Sequence, residues 1–180
     1  DTRLPQFVRE RGTDVGSEYD DLWRWTVESP GRFWELFADF AGVRLGGVPG
    51  PALIQEGMPG ARWFEGRTLN FAEHLLADRQ GTALLAVDED GTSTEVSWAQ
   101  LREQVSSFAG HLRDCGGGSG DRVVALLPNV PEAVVAFLAT ASLGAVWSVC
   151  APEFGPGAVV SRFAPLEPKV LIAPPGYRLG

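Results

Sequence analysis

Between positions 121 and 173 the chain alternates apolar runs with segments of helical period. VVALL is closed by Pro128, and a helix-period segment follows. AVWSVC comes next, then a loop holding Pro152, Gly155, Pro156 and Gly157, another amphipathic segment, and finally KVLIA. Strand-length runs separated by helix-length segments predict βαβ units and a parallel sheet. Strands buried on both faces should be continuously apolar, as these are. Ligands on such sheets gather at the carboxyl ends of the strands. The loops after Leu127, Cys150 and Ala173 are therefore the first places to look for chemistry.

Upstream, the pattern changes. Residues 1–17 are polar without an apolar period, which predicts a loosely docked arm. Residues 18–28 read as a short helix, and Ser29-Pro30 restarts it: serine suits an N-cap, and proline suits the first helical position, where its missing N–H is not needed. Phe33, Trp34, Phe37 and Phe40 then fall on one helical face, which reads as packing rather than a ligand cage. Residues 46–60 are rich in glycine and proline, the composition of a linker or an extended crossing segment. Asn70 is placed to cap a helix over 71–77, with Glu73 in the capping-box position. Residues 82–87 and 92–96 flank Asp88-Glu89-Asp90-Gly91, which predicts a hairpin. Ser97 and Gln100 then open a long helix whose apolar positions include Trp98, Leu101, Val105, Phe108 and Leu112. The domain reading is a helical extension over 1–60 and the first part of an α/β domain over 61–180.

Charge narrows the partners. With 15 basic and 23 acidic residues the chain carries a net charge of −8. That argues against a nucleic-acid backbone or an anionic membrane surface. A small anionic ligand stays possible through a local arginine or helix N-terminus. Cys115 and Cys150 form neither a disulfide framework nor a CxxC pair, which points to a reducing, cytoplasmic setting. Lys169 is the sole lysine. Chemistry needing a second lysine cannot be completed within this chain, and the expectation is that the chain is the front part of something larger.

Most motif-like features read as structure. The run at 116–120 follows a helix and precedes a strand, where glycine C-caps belong, whereas a phosphate loop sits between a strand and a helix. His74 and His111 have no metal-spaced partner. Cys150 ends a buried strand and has no neighbouring histidine; Ser142 and Ser148 lack a nucleophile elbow. The loop at residues 151–155 lies where a ligand would bind, although a simple turn with Phe154 packed inward fits as well. Arg178, just beyond KVLIA, is able to bind phosphate or to serve as a plain surface arginine.

The ordered motifs resemble the adenylate-forming acyl-CoA synthetases. LNFAEHLL is similar to their LNxAxNxL, and VSWAQLREQVSSFAGHLRDCGGGSGDRVVALLPNVPEAVVAFLATASLGAVWS matches their SYxEL helix followed by GDRVxxxxPNxxExxxAxLA and GAV. DLWRWTVESPGRFWELFADFAGV, WSVCAPEFG and RFAPLEPKVLIA are most similar to the acetoacetyl-specific branch. The resemblance implies the front of a large N-terminal α/β domain. It implies a two-step ligase reaction: acetoacetate attacks the α-phosphate of ATP, with Mg²⁺ neutralising charge, and the thiol of CoA then displaces AMP. The phosphate loop, the adenine and ribose contacts, the hinge and the catalytic lysine would all lie beyond Gly180, and with them most of the ATP and Mg²⁺ sites. What falls within this chain is one edge of the CoA site: Ala151, Pro152 and Glu153 after the second parallel strand, and Arg178 as partner of a CoA phosphate. Pro152 and Glu153 stand where acetate-specific relatives have glycines, which removes a backbone donor and adds negative charge. Gly117 stands where the family usually has Val or Ile, a change expected to loosen packing below the first strand.

Two other readings compete. A shortened synthetase-like chain could serve as a non-catalytic interaction module, marked by exposed apolar surface. A dinucleotide-binding oxidoreductase would need the GxGxxG that is missing here.

Overall fold

The computed structural model describes residues 3–10, 15–16, 18–55 and 57–176. The chain divides into two compact units, Asp1–Leu69 and Asn70–Gly180. No helix among the described residues is long and apolar enough to cross a membrane.

The first unit is built on aromatic rings. Helices α1 (Arg3–Glu10), α2 (Tyr19–Glu28) and α3 (Pro30–Phe40) surround Phe7. Its ring is 1% exposed and lies 5.2 Å from Phe40, 5.9 Å from Phe37, 6.0 Å from Phe33 and 6.2 Å from Trp25. Residues 3–10 are thus a packed helix rather than a loose arm. Phe7 is the anchor, and in the sequence Leu4, Phe7 and Val8 stand at helical spacing of i, i+3 and i+4. Ser29 occupies the N-cap position of α3 but makes no side-chain cap bond. The glycine- and proline-rich stretch folds back into two small antiparallel ladders. Strand β1 (Gly46–Gly47) pairs with β4 (Arg67–Thr68), and β2 (Leu53–Gln55) with β3 (Arg62–Trp63). Gly47 is required there: its φ is +79°, and a Cβ would lie 2.1 Å from the Gly66 carbonyl oxygen.

The second unit follows the pattern in the sequence closely. Asn70 caps α4 (Phe71–Leu75), its Oδ1 accepting from the Glu73 N–H at 3.0 Å. Strands β5 (Thr82–Val87) and β6 (Ser93–Ser97) form the hairpin. Asp88 shapes the turn, its Oδ1 accepting from the N–H groups of Asp90 and Thr92. Ser97 and Gln100 form a full capping box at the start of α5 (Trp98–Asp114). Then come β7 (Arg122–Leu126), α6 (Pro131–Ser142), β8 (Val146–Cys150), α7 (Pro156–Phe163), a 3₁₀ turn (Ala164–Leu166) and β9 (Val170–Ile172).

The three later strands are parallel, in the order β8-β7-β9. The first strand in the chain is therefore the central one. Alternate residues of β7 feed opposite layers. Val123 packs with Val135, Leu138 and Ala139 of α6 and with Leu101, Val105 and Leu112 of α5. Its neighbour Val124 packs with Cys150 and with Phe163 of α7. Helices α6 and α7 thus cover opposite faces of the sheet. Right-handed crossovers demand this when successive connections leave in opposite directions.

Candidate functional site

Because the connections after β7 and β8 part to opposite faces, the carboxyl ends of these two neighbouring strands form a topological switch point, the place where open α/β sheets bind ligands. The Leu127 N–H donates to the Cys150 carbonyl at 3.1 Å and closes the ladder there. Along β8 the inward N–H groups fall on every second residue from Val146, which donates to the Asp121 carbonyl at 2.8 Å. The next in that series after Cys150 is Pro152, which has no N–H, so the ladder stops and the chain turns away.

The loop that follows is a turn, with the Phe154 N–H donating to the Ala151 carbonyl at 3.2 Å. Ala151 and Glu153 are exposed and Pro152 is half-buried. Phe154 is not packed inward: it is 38% exposed, and the guanidinium of Arg162 lies over its ring, 4.5 Å from the centroid. Gly155 supplies the N-cap position of α7, and Pro156 opens the helix. The structure thus brings Ala151, Pro152 and Glu153 together at the switch point. Arg178 lies outside the described residues. Arg162 is a charged neighbour of this loop that the sequence pattern did not single out. The signal available was an aromatic residue just before a proline-opened helix and an arginine near that helix's end.

The glycine run is a helix cap. The Gly116 N–H donates to the Arg113 carbonyl at 2.7 Å and the Gly117 N–H to the Leu112 carbonyl at 2.8 Å, the paired bonds of a Schellman motif, with Gly116 at φ +81°. The Gly118 N–H donates to Asp121 Oδ2 and the Gly120 N–H to the Gly144 carbonyl. These donors are used internally, which leaves no cradle for the phosphates of ATP. Below the sheet, Arg122 donates to the carbonyls of Leu166 and Glu167, each at 2.9 Å, and to that of Gly120 at 3.3 Å. Lys169 Nζ donates to Asp121 Oδ2 at 3.1 Å, and that bond holds the Asp121 carboxyl below its ordinary range. The only lysine is therefore a brace at the amino end of the sheet, away from the switch point.

Cys150 is buried against the Phe163 layer, where it acts as core. An open groove of about 970 Å³ runs along α5 and α6, floored by Val96, Phe108, Leu127 and Ile172 and flanked by Glu103 and Glu132. Among the described residues no three His, Cys, Asp or Glu side chains come together as a metal site.

A parallel sheet with a switch point, preceded by a capped helix and a hairpin, is an α/β arrangement of the kind that binds ligands at its strand ends. The chain belongs to the AMP-binding enzyme family, whose model matches residues 73–178. The model for the acetyl-coenzyme A synthetase N-terminus matches residues 19–75. The chain is 41% identical over 180 residues to acetoacetyl-coenzyme A synthetase from Rhizobium meliloti, covering 97% of this chain and 27% of that protein. It is 34% identical over 162 residues to malonamoyl-CoA synthetase from Penicillium aethiopicum, covering 85% of this chain and 22% of that one. The solved acetoacetyl-CoA synthetase from Streptomyces lividans superposes with a TM-score of 0.90 at 44% identity, over 98% of this chain and 28% of that structure. The chain thus spans 22–28% of the length of these relatives.

Proposed function

We propose that this chain is the front of a cytoplasmic acid–thiol ligase that converts acetoacetate, ATP and CoA to acetoacetyl-CoA, AMP and pyrophosphate through an acyl-adenylate. The supporting observation is the TM-score of 0.90 at 44% identity to the Streptomyces enzyme over nearly the whole chain. The share of the reaction assigned to these residues is one edge of the CoA site. The loop of Ala151, Pro152 and Glu153 lies at the switch point and would border the thiol cosubstrate, with Arg178 as a phosphate partner. Adenylation belongs to chain beyond this segment. ATP and Mg²⁺, which supply the activating phosphoanhydride and its charge neutralisation, would be held mostly there. The acid is the finer part of the proposal, since a malonamoyl-CoA synthetase also resembles this segment.

The two half-reactions separate these assignments. In the full-length protein, acetoacetate should support exchange of pyrophosphate into ATP without CoA, and thioester formation with it. Arg178→Ala should raise the KM for CoA by roughly tenfold, as loss of one charge-assisted phosphate contact does. Pyrophosphate exchange should stay near wild-type. Equal losses in both half-reactions would remove Arg178 from the CoA site, and no acetoacetate-dependent exchange would refute the ligase reading.

A further inference from the structure

The loop leaving β8 carries one negative side chain, Glu153, and no cation of its own. The structure supplies one from the next helix. Arg162 stands in the last turn of α7. Helical side chains slant toward the N-terminus, so it reaches back over Phe154. A guanidinium lying on an aromatic face is attracted to the ring and held in one plane. Its five N–H donors lie in its own plane, so the stack leaves them available at its rim. Among the described residues Arg162 makes this one contact and no ion pair. By contrast, Arg122 is committed to three carbonyls, Arg32 to Glu35 and Arg62 to Glu65. In a chain of net charge −8, an exposed arginine, immobilised but unpaired beside the switch point, is poised for an anion.

We propose that Arg162, held flat on Phe154, is a phosphate-binding residue of the thiol cosubstrate's site. Its outer N–H groups would donate to oxygens of a CoA phosphate, and Phe154 is the platform that fixes their direction. The proposal rests on the reading of this chain as part of a CoA-using ligase.

The test uses the full-length ligase with CoA, dephospho-CoA and pantetheine as thiol acceptors. Arg162→Gln should raise the KM for CoA by about tenfold. It should leave the KM for pantetheine, which has no phosphate, and acetoacetate-dependent pyrophosphate exchange within about twofold. Loss of the effect with dephospho-CoA assigns the contact to the 3′-phosphate; its persistence assigns it to the pyrophosphate, and either supports the proposal. Phe154→Leu keeps the charge but removes the platform, and should raise the KM for CoA by roughly threefold with pantetheine unaffected. An unchanged KM for CoA in either variant, an equal rise for CoA and pantetheine, or a matching loss of pyrophosphate exchange overturns it. Failure of the underlying reading looks different: the wild-type protein would then form no thioester from CoA at all.

Discussion

Asn70 donates its side-chain amide to the carbonyl oxygen of Ala141 at 3.1 Å, seventy-one positions along the chain. The same amide donates to the Ser142 carbonyl at 3.1 Å while its oxygen caps α4. One side chain thus satisfies the start of one helix and the end of another. Helix ends leave such groups without partners. Replacing Asn70 by Ala should lower stability by about 2–3 kcal/mol, from a lost cap and two lost hydrogen bonds. Asn70→Ser keeps an acceptor for the cap and should lose only about half as much. Chemical denaturation of the three proteins checks the order: equal losses for Ser and Ala would show that the cap contributes nothing, and a Ser variant as stable as the wild type would show that the bonds to α6 contribute nothing.

Phe7 makes a second prediction. Its ring touches four other rings and is almost wholly buried. Truncation to Ala should destabilise the first unit by about 3–5 kcal/mol. Protease cleavage within residues 3–40 should accelerate, and the Trp25 fluorescence should shift to the red. A variant as resistant as the wild type would mean that α1 is dispensable.

The brace between Lys169 and Asp121 gives a pH signature. The Asp121 carboxyl is held below its ordinary value, mainly by the hydrogen bond from Lys169. A depressed carboxyl contributes stability that is present above the unfolded pKa, near 3.8, and lost as pH falls through the lower folded value. Lys169→Met should therefore melt below the wild type at pH 6–7. The gap should begin to narrow as the pH falls below 3.8, close below the lower folded value, and shrink in high salt, because both groups are partly exposed. Melting curves across that range decide it; a gap that persists into strong acid would assign the effect to the lysine's packing instead.

Gly117 offers a stabilising change. It is buried at the position after the helix cap, and its ideal Cβ would lie 3.9 Å from the Leu112 Cβ and 3.0 Å from the Leu112 carbonyl oxygen. The first distance is the apolar contact that usually accompanies a Schellman cap. The second asks the carbonyl to yield by a few tenths of an ångström. Gly117→Ala should raise stability by about 0.5–1 kcal/mol through the contact and a less flexible unfolded chain. A lower melting temperature would show that the carbonyl is rigid.

Much of this was legible in residues whose physics is local. The capping box at Ser97 and Gln100, the Asp88 turn, the restart at Pro30 and the three apolar runs each have a short-range signature. Helix α1 was only faintly legible, because its apolar period, Leu4, Phe7 and Val8, is a single turn long among polar residues. The pairing of Gly46–Gly47 with Arg67–Thr68 was not legible either, because two-residue ladders are set by tertiary closure rather than by propensity. The strand order was hidden for a related reason: alternation identifies strands, but not which of them lies in the middle. At the loop, the sequence marks a strand end and a change from glycine to Pro152 and Glu153. It does not reveal that Arg162 folds back over Phe154, since that contact depends on the slant of a side chain across two helical turns.

The central place of β7 has a consequence for how the protein is made. Val123 waits for Val146 and Trp147 to be synthesised before its ladder on one side can form, and for Val170 on the other. At about 5–20 residues per second, the most buried strand of the sheet spends several seconds outside the ribosome with a bare edge. During that interval helix α5, which is complete before β7 emerges, is already in place to cover one face of it.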